Sequence, residues 1–158
     1  MKRIFTLLFL SILLIGAANT ASAQGDHYQE KARTITVTAA GTLESYFSTP
    51  SDKEVNRLTV EGPLNEKDLR FLGTLGRYPN QLHYLDLTNA HFTSVPKSCF
   101  HSGTMLFEIK LPEEVTEIGD SAFYWCNAIG SLPVTKNTVK IGKYAYCKAG
   151  QIDVLMIP

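Results

Sequence analysis

An internal repeat constrains this chain more than any other feature. The pattern apolar-x-x-apolar-x-apolar occurs at Val55/Leu58/Val60, Leu82/Leu85/Leu87, Leu106/Ile109/Leu111, Ile129/Leu132/Val134 and Ile152/Leu155/Ile157, in steps of 27, 24, 23 and 23 residues. Further columns share the register of the last three units: Val95/Ile118/Ile141, then Phe100/Phe123/Tyr146, with Gly119 and Gly142 after two members of the first column. Each unit carries too few apolar residues to bury a core alone, so successive units must stack and merge their columns into one interior. The strand of each unit then lies parallel to its neighbours. Period-2 geometry turns the last two apolar residues of each strand inward and the residues before and between them outward. Cys99 aligns with Ala122 and Ala145 in a small-residue column, which predicts a buried thiol.

A period of this length lies in the range of leucine-rich repeats. The segments Val-Thr-Glu-Ile-Gly-Asp-Ser-Ala-Phe-Tyr-Trp-Cys (115–126) and Val-Lys-Ile-Gly-Lys-Tyr-Ala-Tyr-Cys (139–147), with Lys-Leu-Pro at 110–112, resemble the BspA-like leucine-rich repeat. The resemblance covers residues 92–158. Residues 36–43 through 82–90 are similar to the N-terminal portion of such surface proteins. Two departures stand out: the unit at 129 carries its proline at Pro133, inside the expected strand, and the last Cys falls two positions early. The resemblance implies an α/β repeat fold, a leucine-rich-repeat solenoid with a parallel sheet of about five strands. It also implies a cell-surface or secreted role in adhesion.

Before the repeats, Thr34 to Thr38 alternate and are rich in β-branched residues, a strand signal. Thr42 is placed to cap a short helix over 43–48, and residues 49–53, containing Pro50, should break it. A second helix should start after Asn65, with Glu66 and Asp68 at its positive end and Leu69, Leu72 and Leu75 as its buried stripe. This strand and helix, within residues 34–91, read as the cap over the first open face of the stack. Residues 24–33 are polar and aperiodic and read as a disordered mature N-terminus.

Lys2 and Arg3 precede the apolar run from Ile4 to Ile15, followed by the small triplet Ala21-Ser22-Ala23. That is the pattern of a secretory signal peptide over residues 1–23, too short to span a bilayer and without a Cys at the cleavage point for a lipid anchor. Localisation is therefore expected to be secreted or cell-surface. Removing Lys2 and Arg3 from the 15 basic residues leaves 13 against 15 acidic, a net charge of −2. Nucleic acid is not an expected partner for such a chain. Cys99, Cys126 and Cys147 are an odd count for an exported chain and have neither CxxC nor zinc-finger spacing, so no disulfide framework or metal site is expected. A Cys126–Cys147 disulfide is not favoured.

No nucleotide, zincin, serine-hydrolase or calcium-loop motif occurs, so no enzyme activity, cofactor or metal is expected. His83, His91 and His101 with Asp86 are the nearest approach to a catalytic set. The repeat places them on different sides. Glu113, Glu114, Glu117 and Asp120 cluster near a turn and read as a solvated loop. The outward strand positions are the better candidates. One column runs Arg57, Tyr84, Glu108, Ser131, Val154; its neighbour runs Thr59, Asp86, Lys110, Pro133, Met156. An aromatic, Tyr84, among the charges Arg57, Asp86, Glu108 and Lys110 has the composition of an interface, and these five form the candidate ligand-binding face for an extracellular protein or glycan. Ordinary exposed strand residues are the competing account. The expected function is that of an exported binding protein, with an N-terminal structural fragment of a larger surface repeat protein as the alternative. Pro158 leaves the fifth unit without a capping segment, for which a fragment is the favoured account over fraying of the last unit. Self-association through that open edge is the remaining account.

Overall fold

The computed structural model describes residues 30–150. Among these the strands are β1 (Ala32–Thr36), β2 (Arg57–Pro63), β3 (Tyr84–Asp86), β4 (Ala90–His91), β5 (Ser94–Val95), β6 (Glu108–Lys110), β7 (Glu117–Ile118) and β8 (Lys140–Ile141). One α-helix, α1 (Glu66–Leu75), follows β2. All strand pairs are parallel. The larger sheet runs β1-β2-β3-β6, with β4 also beside β2, and the smaller runs β5-β7-β8. Neither sheet closes into a barrel.

The apolar columns set this register. Leu58 pairs with Leu85 and Leu85 with Ile109, and on the second sheet Val95 pairs with Ile118 and Ile118 with Ile141. The leading residues Val55, Leu82, Leu106 and Ile129 are buried, as are Val60 and Leu87. On the far side Phe100, Phe123 and Tyr146 stack at centroid distances of 5.2 and 5.4 Å with interplanar angles of 2° and 1°. Cys99, Ala122 and Ala145 are buried beside them. Gly119 is required by close approach, because a Cβ there would lie 2.6 Å from the backbone nitrogen of Lys97. Two turn columns adopt left-handed backbone at intervals of 23 residues. Ser98, Ser121 and Tyr144 have φ of 55°, 53° and 57°, and Ser102, Trp125 and Lys148 have φ of 59°, 61° and 58°.

Several expectations are corrected. Residues 32–33 are strand, not disordered, because Ala32 and Arg33 pair with Arg57 and Leu58. Residues 24–29 and the expected signal peptide lie outside the described residues. The strand ends at Thr36, although the Val37 N–H still donates to the Glu61 carbonyl. The helix expected over 43–48 is a single 3-10 turn, Leu43–Tyr46, and Thr42 does not cap it: its hydroxyl donates to the Ala39 carbonyl instead. Residues 49–53 do break the helical run, as expected, but they carry structure of their own. Pro50–Lys53 form a second 3-10 turn, since Pro50 presets the first position and Thr49 and Asp52 bond reciprocally in a capping box.

Helix α1 starts as expected, with the Asn65 side chain accepting from the N–H of Lys67 and Asp68. Leu69, Leu72 and Leu75 are buried. Asp68 does more than favour the dipole. It is 1% exposed, and its carboxylate accepts from the N–H of Gly41, Leu43 and Asn65, tying the 41–43 turn to the helix.

No strand forms over 129–134, so the described part of the larger sheet has four strands in line instead of five; the unit at 152–157 lies outside the described residues. The cause is Pro133, which has no N–H for a ladder. The chain turns locally, with the Val134 N–H on the Leu132 carbonyl. The faces also exchange: Pro133, expected outward, is buried, while Leu132 and Val134 are half-buried. The Pro133 carbonyl accepts from the Tyr146 hydroxyl at 3.0 Å, and the buried Thr135 hydroxyl donates to the Val115 carbonyl at 2.9 Å.

Candidate binding face

The alternation that buries Leu58, Leu85 and Ile109 necessarily turns their strand neighbours outward. Arg57, Tyr84 and Glu108 therefore stand side by side across β2, β3 and β6, with Thr59, Asp86 and Lys110 in the next row. All five candidate residues share this one face. The Arg57 guanidinium lies 4.3 Å from the Tyr84 ring centroid and its Nε donates to Glu30 at 2.7 Å. Lys110 Nζ sits 3.9 Å from both Asp86 and Glu108. Partial burial pushes the Asp86 carboxyl up, but hydrogen bonds from Thr88 and the Lys110 charge outweigh it and hold the group below its ordinary range. The cleft between these side chains holds about 60 Å³. That is far below the roughly 300 Å³ at which small-molecule pockets begin, so the face suits a macromolecular surface and not an enclosed ligand.

Phe107 was not among the expected residues and belongs to the same face. It is 41% exposed, meets Tyr84 edge-on at 6.0 Å and stacks on His83 at 4.6 Å. The signal for it lay in the column Asn56, His83, Phe107, Gly130, which directly follows the first apolar residue of each unit. Backbone bonds tie that column together, from Phe107 N–H to the His83 carbonyl and from Gly130 N–H to the Phe107 carbonyl. The columns do not continue as expected past β6. Ser131 is not on a strand, Pro133 is buried, and Val154 and Met156 lie outside the described residues.

The histidines are scattered. His83 is buried against Phe107, and burial holds its imidazole below the ordinary value. His91, on β4, faces Glu114 at 3.2 Å, and His101 bonds the Ser102 hydroxyl and stacks on Tyr124. Glu113 and Glu117 pair with Lys136 and Lys140, each 23 residues on, while Asp120 accepts from the Lys143 N–H. Among the described residues no group of three or more His, Cys, Asp or Glu side chains is placed to hold a metal ion. Cys99, Cys126 and Cys147 are all free thiols.

Among protein families, the description "BspA type leucine rich repeat region (6 copies)" matches residues 77–158. The chain belongs to this family. The match begins ahead of Leu82, so the Leu82/Leu85/Leu87 unit that carries Tyr84 and Asp86 is part of the leucine-rich-repeat region. A search of curated proteins finds no match to this chain. Leucine-rich repeats serve widely as binding surfaces, which accords with an outward face built on strands and not on a pocket.

Proposed function

We propose that this leucine-rich-repeat protein is exported, that its units stack as a solenoid, and that it binds an extracellular protein partner through the outward strand face without catalysing a reaction. The observation that carries this reading is the in-register pairing of Arg57/Tyr84/Glu108 and Thr59/Asp86/Lys110 with Phe107 beside them. It supplies an aromatic centre ringed by charges on a rigid backbone, and interfaces concentrate their energy in such anchors. Export rests on the residues 1–23 pattern. No helix among the described residues is long and apolar enough to cross a membrane. Membership of the BspA-type leucine-rich-repeat family supports a role in cell-surface adhesion.

The test is adhesion of the purified mature chain to immobilised host-cell surface and matrix protein. Tyr84→Ala combined with Glu108→Ala should weaken it by about tenfold or more, with unchanged far-UV circular dichroism. Equal adhesion of the double variant removes the strand face from consideration.

A further inference from the structure

A second surface lies on a different side of the repeats. The segments 71–82, 98–107, 121–130 and 144–150 contain no Asp or Glu, yet three exposed aromatic side chains, Tyr78, Trp125 and Tyr144, fall within them, and a fourth, Phe107, stands where they meet the strand face. The segments adjoin. Met105 N–H donates to the Gly76 carbonyl, Ser102 N–H to Tyr124, Trp125 N–H to Cys147 and Gly150 N–H to Cys126. Along this edge a series of contacts runs from one cation to another. Arg77 Nε donates to the His101 carbonyl at 2.8 Å, and the His101 ring stacks on Tyr124 at 5.1 Å. Tyr124 meets Trp125 edge-on at 6.2 Å, and Lys148 Nζ lies 4.7 Å from the Trp125 ring centroid. Among the described residues neither Arg77 nor Lys148 has a carboxylate partner. The carboxylates that flank the segments in the chain, Glu108 and Asp120, are engaged by Lys110 and by the Lys143 N–H.

Folding does not account for the aromatics here. Trp125 and Tyr144 sit on left-handed backbone, where the preceding units place Ser102 and Ser121 on the same turn. That conformation disfavours bulky side chains, and these two also remain 48% and 71% exposed. Open aromatic faces beside uncompensated cations call for a ligand that offers flat apolar faces and anionic groups together.

We propose that this edge binds a carboxylate-bearing polysaccharide, its sugar rings stacking on Trp125 and Tyr144 and its carboxylates pairing with Lys148 and Arg77. An acidic peptide carries the charge but not the rigid ring faces. A single-stranded nucleic acid offers stacking but needs more cations along its backbone than two, and the mature chain is net acidic.

Trp125 is the sole tryptophan of the chain, so its fluorescence reports this edge directly. The mature chain is titrated with a galacturonate hexamer. The expected result is a saturable change in Trp125 emission that weakens with added salt. Lys148→Ala should reduce affinity by about tenfold and Tyr144→Ala by about fivefold, whereas Tyr84→Ala, on the strand face, should leave it unchanged. Binding of the Trp125→Ala variant, followed by calorimetry, should fall below detection while its circular dichroism matches the parent. Three results overturn the proposal: no response to the hexamer, equal affinity for neutral cellohexaose, or equal affinity for poly-glutamate or oligo-dT. Loss of this binding with intact strand-face adhesion, or the reverse, separates the two surfaces.

Discussion

The region up to α1 and the region beyond β5 reach stability by different routes. The first uses one-off devices: a seven-residue strand, a capped α-helix, two 3-10 turns and the buried carboxylate of Asp68. The second uses, among the described residues, strands of two or three residues and no α-helix, and it repeats its ring stacking and turn contacts from unit to unit. Its rings stack within 2° of parallel, and its two left-handed turn columns recur with φ varying by only a few degrees. Repetition lets a weak unit borrow stability from its neighbours. A one-off device has no neighbour to borrow from, so it must be strong where it stands.

The sharpest way to break this contrast is to remove the central ring of the ladder. Phe123→Ala leaves Phe100 and Tyr146 each without a stacking partner, and should cost about 3–5 kcal/mol in urea unfolding. Hydrogen exchange should rise in both adjoining units, because the damage is shared along the column. Asp68→Ala should cost somewhat less, about 2–3 kcal/mol, by stranding the N–H groups of Gly41, Leu43 and Asn65. Its increased exchange should stay within the cap region. Damage that spreads in the second variant and stays local in the first would reverse the comparison.

The buried thiols give a smaller, pH-dependent effect in the repeat region. Burial pushes Cys99 from 9.0 up to about 12 and Cys126 to about 11, with the Cys126 Sγ also donating to the Phe100 carbonyl. The folded state therefore holds its thiol protons where the unfolded chain has released them. Stability from these groups is complete below about pH 9 and declines as pH rises toward about 11 to 12. Urea midpoints measured across that range should fall, and the fall should be smaller in Cys126→Ala. In folded protein at neutral pH, mass spectrometry after brief alkylation should find Cys147, the half-buried thiol, modified first. The smallest effect is expected at the exposed pair Lys140 and Glu117, at 2.6 Å. Lys140→Ala should leave the urea midpoint unchanged within error, because solvent screens such pairs.

Legibility in the sequence followed the same division. The spacing of Leu58, Leu85 and Ile109, and of Phe100, Phe123 and Tyr146, was enough to state which residues pair and stack, since a constant step leaves one register that keeps these columns aligned. The same alternation assigned Arg57, Tyr84, Asp86, Glu108 and Lys110 to one side. The cap was read less well. Asn65 and the Leu69/Leu72/Leu75 stripe were visible because capping and helical periodicity are local, but the turns at 43–46 and 50–53 and the reach of Asp68 to Gly41 and Leu43 were not. The Asp68 contacts join residues some 25 apart that belong to no column, and the two 3-10 turns, four residues each, are too short to show a helical period.

What the sequence determined alone is thus the parallel register and, for the units at 55, 82 and 106, the division of residues between interior and surface, because both follow from a periodicity that one dimension can carry. The tertiary structure decided the burial of Pro133, the addition of Phe107 to the strand face, the placing of Trp125 and Tyr144 on left-handed turns, and the approach of Lys148 to the Trp125 ring. Each depends on how loops of particular length close between units and on which side chain fills the space that results. A pattern of apolar spacing holds no information about either.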